Sequence, residues 1–556
     1  MKLSDFLILI IWLSAFSGGA YLLVVNLIKT RHYETTLISF GLGLILQTWI
    51  ANFLVRFIEV RLSFILSAVL VLIAGLVVTI LKKNFKTIRQ HFCFPLSYWL
   101  FFALATVIFL MIGRGLAIFD DYQNIPVTSI LASGVVPPVF VLNPGLSFDY
   151  HYLMLLNAAQ WVRLADVYPW TALDITRALF FSLTLVYTAF LARRVTRSAF
   201  SGWISVMFVA FAGGVRWLLL FLPDGLMERV SAEVEMMGTG LATAGTLKEA
   251  LTLPWVFEGG GSFPFPFAFG NGYHTIAVMK HDGTGLMGTA MALLIILFFQ
   301  KWRGTGGIIL VSILITAMAL IDEIWFIFFL AACGLILFIF LIRNFINQRR
   351  HWGLLLVLLV IIPAIIALFQ GGVITGAFNN LVSPAAAGVP ENPEQYFSMS
   401  FLFRWPPAFV SANLGVLKLT NWQQLIVALA EVGPILLLIP LFTAFSRKAM
   451  RAGQWIYVIL GLALLFSLGM VFFEYQGLAG FSASKRLTLF ATDLLILFAI
   501  PLLWLWLANK AAWLKSLTAG LVWATMLAGM VYFGIETLSV REPVLSYFLE
   551  PLDARV

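Results

Sequence analysis

Adjacent carboxylates close an apolar run in Arg114-Gly-Leu-Ala-Ile-Phe-Asp120-Asp121-Tyr122. Paired acids at a membrane boundary are costly to place. Asp120 and Asp121 suit a general base or a pair of ligands for a hard divalent cation, magnesium or manganese; the plain alternative is a marker of a helix leaving the membrane. Asp149-Tyr150-His151-Tyr152 heads an amphipathic stretch at 149–166. Histidine titrates near neutral pH and an acid suits a helix N-terminus. His151 and Tyr152 are therefore candidate substrate contacts, against the alternative of an aromatic belt capped by Asp149. Asp322-Glu323 lies between two apolar runs, the first too short for a bilayer core of about 30 Å. Both acids are expected below the outer boundary, facing a cavity. His281-Asp282 precedes another apolar run, where an exposed helix N-terminus suits a phosphate or polar sugar and Asp282 also suits a cap. Arg404, in Phe-Arg-Trp-Pro-Pro, and Lys485-Arg486 suit phosphate or snorkelling to headgroups.

These residues need elements to hold them, and the composition says which kind. The 556 residues are 61% hydrophobic and 11% charged, with a mean hydropathy of +0.97. A soluble domain is about 45–50% apolar and about 25% charged. Continuous apolar runs long enough to cross a bilayer predict an all-α integral membrane protein, because lipid leaves backbone groups no other partner. Barrel strands would alternate in polarity instead. About fourteen spans are expected, at 5–28, 34–56, 62–81, 96–114, 173–192, 199–222, 284–300, 306–321, 324–342, 353–370, 423–446, 454–473, 488–508 and 513–533.

Lysine and arginine gather in every second loop, as at Lys29/Arg31, Lys82/Lys83, Arg193/Arg194, Arg343 and Arg447/Lys448. The positive-inside rule puts those loops in the cytoplasm. The other face then carries three long loops, 115–172, 223–283 and 371–422, with most of the acids. Long loops are often functional. The first is expected to carry 149–166 as a helix lying in the outer interface. This asymmetry explains the net charge of +9 without nucleic acid. No Walker A, HExxH, CxxC or GxSxG motif is present, and Cys93 and Cys333 form no disulfide framework.

An acidic motif after a transmembrane helix, at the head of a long outer loop with amphipathic juxtamembrane helices, resembles the C-type (GT-C) fold of polytopic glycosyltransferases that use polyprenyl-phosphate sugars. The motif here is Phe119-Asp120-Asp121-Tyr122, followed by 149–166. A second polar motif would be Asp322-Glu323 or His281-Asp282. The resemblance implies a catalytic membrane core at 96–370, an N-terminal three-helix extension at 1–95 and a variable C-terminal region at 371–556. It implies inverting transfer of a sugar from a polyprenyl-phosphate donor to a lipid or glycan acceptor on the non-cytoplasmic face of a bacterial or archaeal membrane. Asp120 or Asp121 would be base or metal ligand, and Arg404 or Arg486 would neutralise the departing phosphate. His151 and His281 would orient sugar or phosphate, and no nucleotide would be needed. The other readings are a transporter or flippase of lipid-linked glycans, and a polymerase or ligase of surface polysaccharide.

Overall fold

The computed structural model describes residues 3–83, 93–113, 121–236, 244–256, 262–269, 285–345, 351–382, 400–411, 413–476 and 480–538. The first helices are α1 (Leu3–Leu27), α2 (His32–Leu54), α3 (Val60–Lys82), α4 (Leu96–Gly113), α5 (Asp121–Ser133), α6 (Leu153–Ala165) and α7 (Pro169–Thr196). Then come α8 (Ala199–Phe211), α9 (Asp224–Ser231), α10 (Leu247–Thr252), α11 (Gly285–Phe298), α12 (Thr305–Met318) and α13 (Glu323–Phe345). The last are α14 (His351–Leu356), α15 (Ile362–Ala367), α16 (Gly372–Val382), α17 (Trp422–Val432), α18 (Ile439–Arg451), α19 (Trp455–Gly469), α20 (Gly480–Leu507) and α21 (Ala512–Leu538). Among the described residues the strands form antiparallel pairs: β1 (Val139–Phe140) with β2 (Asn143–Ser147), β3 (Pro254–Val256) with β4 (Ser262–Pro266), β5 (Ser400–Phe403) with β8 (Phe473–Gln476), and β6 (Ala408–Ser411) with β7 (Gly415–Lys418).

Among the described residues, eight helices are long and apolar enough to cross a membrane, or up to ten if each of two bent pairs counts as one span. This supports a multi-pass membrane protein and corrects the expectation of fourteen spans. The shortfall has local causes. The run 199–222 leaves the α-helix at Phe211, where Ala212-Gly213-Gly214 intervenes before a 3-10 turn at Arg216–Phe221. The runs at 96–114, 284–300 and 306–321 make shorter helices, Leu96–Ile112, Gly285–Phe298 and Thr305–Met318. The run 353–370 continues into α16 through a 68° bend, and 423–446 breaks by 81° between α17 and the segment beginning at Pro434.

The chain divides into two compact units. Unit 1 comprises residues 1–114, 120–187 and 283–389; unit 2 comprises 115–119, 188–282 and 390–556. In unit 1, α1, α2 and α3 pack on one another and all three touch α6. That contact corrects the expectation that 149–166 lies in the membrane interface. Eleven of the thirteen residues of α6 are buried. Leu153-Met154-Leu155-Leu156 puts apolar side chains on every side of its first turn, so no face is left for water. Asn157 and Gln160 turn inward to partners on α2. Gln160 and Gln47 exchange two amide hydrogen bonds of 2.7 and 2.9 Å, and Asn157 Nδ2 donates to Thr48 Oγ1 at 2.8 Å. Trp161 meets Trp12 of α1 edge-on at 5.4 Å.

The reciprocal amide pair gives a test of this packing. Gln160→Leu leaves the Gln47 amide short of a buried partner, at a cost of about 1–3 kcal/mol. Gln47→Leu with Gln160→Leu removes both polar ends, and most of that loss returns. The melting temperatures of the two single variants and the double variant in one detergent check this. Equal additive losses in the double variant would mean that the pair is not coupled.

Candidate functional site

The residues best placed for chemistry gather at one end of unit 1, where four chain segments meet: the end of α2, the turn 149–153, the α12–α13 turn and the turn before α16. The α12–α13 turn is short. Asp322 closes it as the cap of α13, its Oδ1 accepting from Trp325 N at 3.0 Å. Leu153 N donates to Leu320 O at 3.2 Å, which fixes the 149–153 turn against it. Glu323 and His151 are thereby brought together, with His151 Nδ1 3.5 Å from Glu323 Oε2 and both side chains largely buried. The His151 ring also stacks on Tyr150, centroids 3.8 Å apart.

Gly371 and Gly372 shape the fourth segment. Their φ values of +104° and +80° suit glycine alone among common residues. A β-carbon on Gly371 would lie 2.3 Å from the Tyr152 hydroxyl. The next turn brings Gly376 so close to Asp149 that a β-carbon there would lie 2.3 Å from its carboxyl. Tyr152, fully buried, donates to Asn52 Oδ1 at 2.7 Å and to Gln370 O at 3.2 Å. Gln370 Nε2 donates in turn to Thr316 O at 2.9 Å. Arg56 donates through Nε to Asn52 O at 3.1 Å, and its Nη2 hydrogen-bonds to Gln370 O.

Burial raises the Asp149 carboxyl above the usual carboxylate range, and a hydrogen bond from Ser147 Oγ at 3.1 Å opposes the shift. The folded state therefore holds that proton more tightly than the unfolded chain does. Stability from this site is full in acid and falls as pH rises through the raised value. Asp149→Asn has no charge to bury, so the variant is expected to be the more thermostable near about pH 7, with the advantage shrinking to nothing below the ordinary carboxylate range. Melting curves across pH check the sign; a variant less stable at neutral pH would mean that the carboxylate is well solvated.

His151 Nδ1 is buried without a hydrogen bond among the described residues, and an imidazole beside a carboxylate can take or give a proton. The His151–Glu323 pair therefore has the groups of a general acid–base centre. Arg56 adds a cation that the sequence reading passed over. A signal was present: Arg56 follows Asn52 by four positions, just past the end of α2, where it can reach back to the last turn. Arg56 also sits in the loop opposite the basic ones.

The other expected site residues fall in different places. Asp120, His281 and Asp282 lie outside the described residues. Asp121 begins α5, which packs on α6. Arg404, Lys485 and Arg486 belong to unit 2. Arg404 Nη2 donates to Ala408 O at 3.1 Å and Val471 O at 3.4 Å, tying β6 to the end of α19. Burial lowers its pKa, and the nearby Glu474 carboxylate opposes that. Among the described residues, no three His, Cys, Asp or Glu side chains form a group that could hold a metal ion. No family model, curated protein or solved structure matches the chain.

Proposed function

We propose that the chain is an inverting membrane glycosyltransferase, moving a sugar from a polyprenyl-phosphate donor to an acceptor hydroxyl on the non-cytoplasmic face. The observation that carries this reading is the largely buried His151–Glu323 pair at one end of apolar helices. That end is the one away from Arg31, since α2 runs from Arg31 at its N-cap to Arg56 just past its last turn. The positive-inside rule makes it the outer end.

Transfer with inversion requires a base to take the acceptor proton as the new bond forms, and a partner for the phosphate that leaves. In this reading His151, beside Glu323, takes the proton. Arg56 is proposed as the cation that stabilises charge developing on the phosphate. Asp120 and Asp121 remain proposed as a second acidic pair, as base or as ligands for a divalent cation. Arg404, Lys485 and Arg486 remain proposed phosphate contacts in unit 2. No nucleotide enters the reaction.

The test is transfer by the purified protein in nanodiscs, with a labelled polyprenyl-phosphate sugar and a hydroxyl-bearing lipid acceptor. A glycosylated acceptor of inverted anomeric configuration, released with free polyprenyl phosphate, is the expected result. Movement of intact donor across a sealed vesicle without transfer would replace this reading with a transporter.

A further inference from the structure

Unit 2 contains a crevice of about 850 Å³, counted with its open side, among α8, α17–α18, α20 and α21. Its walls include Phe208, Leu438, Leu503, Trp506, Leu517 and Leu521. The backbone explains why the space exists. Helix α17 ends at Gly433, whose φ is +78°, and Pro434 follows with no N–H to continue the ladder. The chain bends by 81° there. A pair bent so sharply cannot fill the column that one straight helix would occupy.

The chemistry of the walls narrows the occupant. Thr518 and Thr525 line the crevice, but their hydroxyls donate to Leu514 O and Leu521 O at 2.8 Å each. Neither hydroxyl proton is left for a polar ligand. Leu437, Leu517 and Leu521 are lining residues that remain 67%, 54% and 40% exposed. On helices of this composition such an apolar mouth opens to hydrocarbon, so an occupant enters sideways from the bilayer. One end is different. The turn joining α20 to α21 carries Lys510, and Lys515 follows in the first turn of α21, both exposed. Lys510 Nζ stands 5.5 Å from the centroid of the Trp506 ring, itself part of the wall. Cations beside a groove between membrane helices attract anionic headgroups.

We infer that the crevice holds an acyl chain of a resident anionic glycerophospholipid whose phosphate rests against Lys510 and Lys515. The lipid fills the gap left by the break at Gly433–Pro434 and joins α18 to α21. This site is independent of the acid–histidine cluster in unit 1 and stands whether or not the chain transfers sugars.

The experiment uses the full chain, stripped of lipid in detergent. Phosphatidylglycerol or phosphatidylcholine with the same acyl chains is then added. Phosphatidylglycerol is expected to raise the melting temperature by several degrees more than phosphatidylcholine, and native mass spectrometry to show one retained adduct. Lys510→Glu with Lys515→Glu, both on the surface, is expected to abolish the preference without unfolding the protein. Val522→Trp, which fills the crevice, is expected to remove the adduct. Equal stabilisation by the two lipids, or a preference that survives the double charge reversal, would overturn the inference. So would displacement of the adduct by polyprenyl phosphate at equal concentration, which would give the crevice to a different lipid.

Discussion

Glu323→Gln lowers kcat for sugar transfer by about 10²–10⁴-fold, the usual contribution of a general acid–base group, while the protein stays folded and monodisperse. Glutamine keeps the shape and the hydrogen-bonding reach of glutamate. It cannot stabilise an imidazolium as an anion does, and the His151 side chain is too buried for water to replace that charge. The expected signature is a fall in kcat with KM near the wild-type value, because the pair acts on the proton and not on the sugar. His151→Gln should match it, and the double variant should be little worse than either single one. Asp120→Asn and Asp121→Asn provide the internal comparison. Loss confined to those two would move the base to the Asp120-Asp121 pair. Near wild-type turnover in all four variants would end the transferase reading.

The largest stability effect is expected in unit 2, at Arg216→Met. Arg216 and Glu431 are each 1% exposed and joined fork to fork, through Nε and Oε1 and through Nη2 and Oε2, the latter at 2.8 Å. Arg216 Nη1 also donates to Phe267 O at 2.9 Å, and its guanidinium lies 3.8 Å from the centroid of the Phe267 ring. Ser411 Oγ reaches Glu431 at 3.5 Å. One ion pair thus ties the 3-10 turn at 216–221, the end of α17, the strand β6 and the turn after β4. Removing the arginine strands a buried carboxylate, which costs about 3–5 kcal/mol. Arg216→Met combined with Glu431→Leu removes both charges and recovers most of the loss. Thermal unfolding of the three variants measures the coupling. A single variant as stable as the wild type would mean that water reaches Glu431.

Membrane class was legible because apolar runs of this length leave the backbone no alternative. Helix breaks were less so. Gly213-Gly214 and Gly433-Pro434 were visible as residues, but composition averaged over a window smooths across them, and two spans were drawn straight through. The site was legible in part. Asp149, His151 and the Asp322-Glu323 pair attracted attention as polar groups in apolar surroundings, and the structure joins Glu323 to His151 while giving Asp322 the duty of a cap. Asn52, Arg56 and Gln370 were not singled out, since each is ordinary in sequence and becomes informative only when the others surround it. The placing of α6 was misread for a related reason. A pattern of apolar and polar faces does not say whether the polar face meets water or another helix, and Gln47 and Thr48 supplied the second kind of partner.

The wiring around Tyr152 bears on how the protein is made. Asn52 finds its acceptor on Gln370, 318 positions later, and Tyr152 reaches the same carbonyl across 218 positions. At about 5–20 residues per second, ribosomes need roughly tens of seconds to cover such distances. For that interval the Asn52 amide and the Tyr152 hydroxyl lack the Gln370 carbonyl they share. The insertion machinery, or a transient companion offering polar groups, must shelter them until residue 370 arrives.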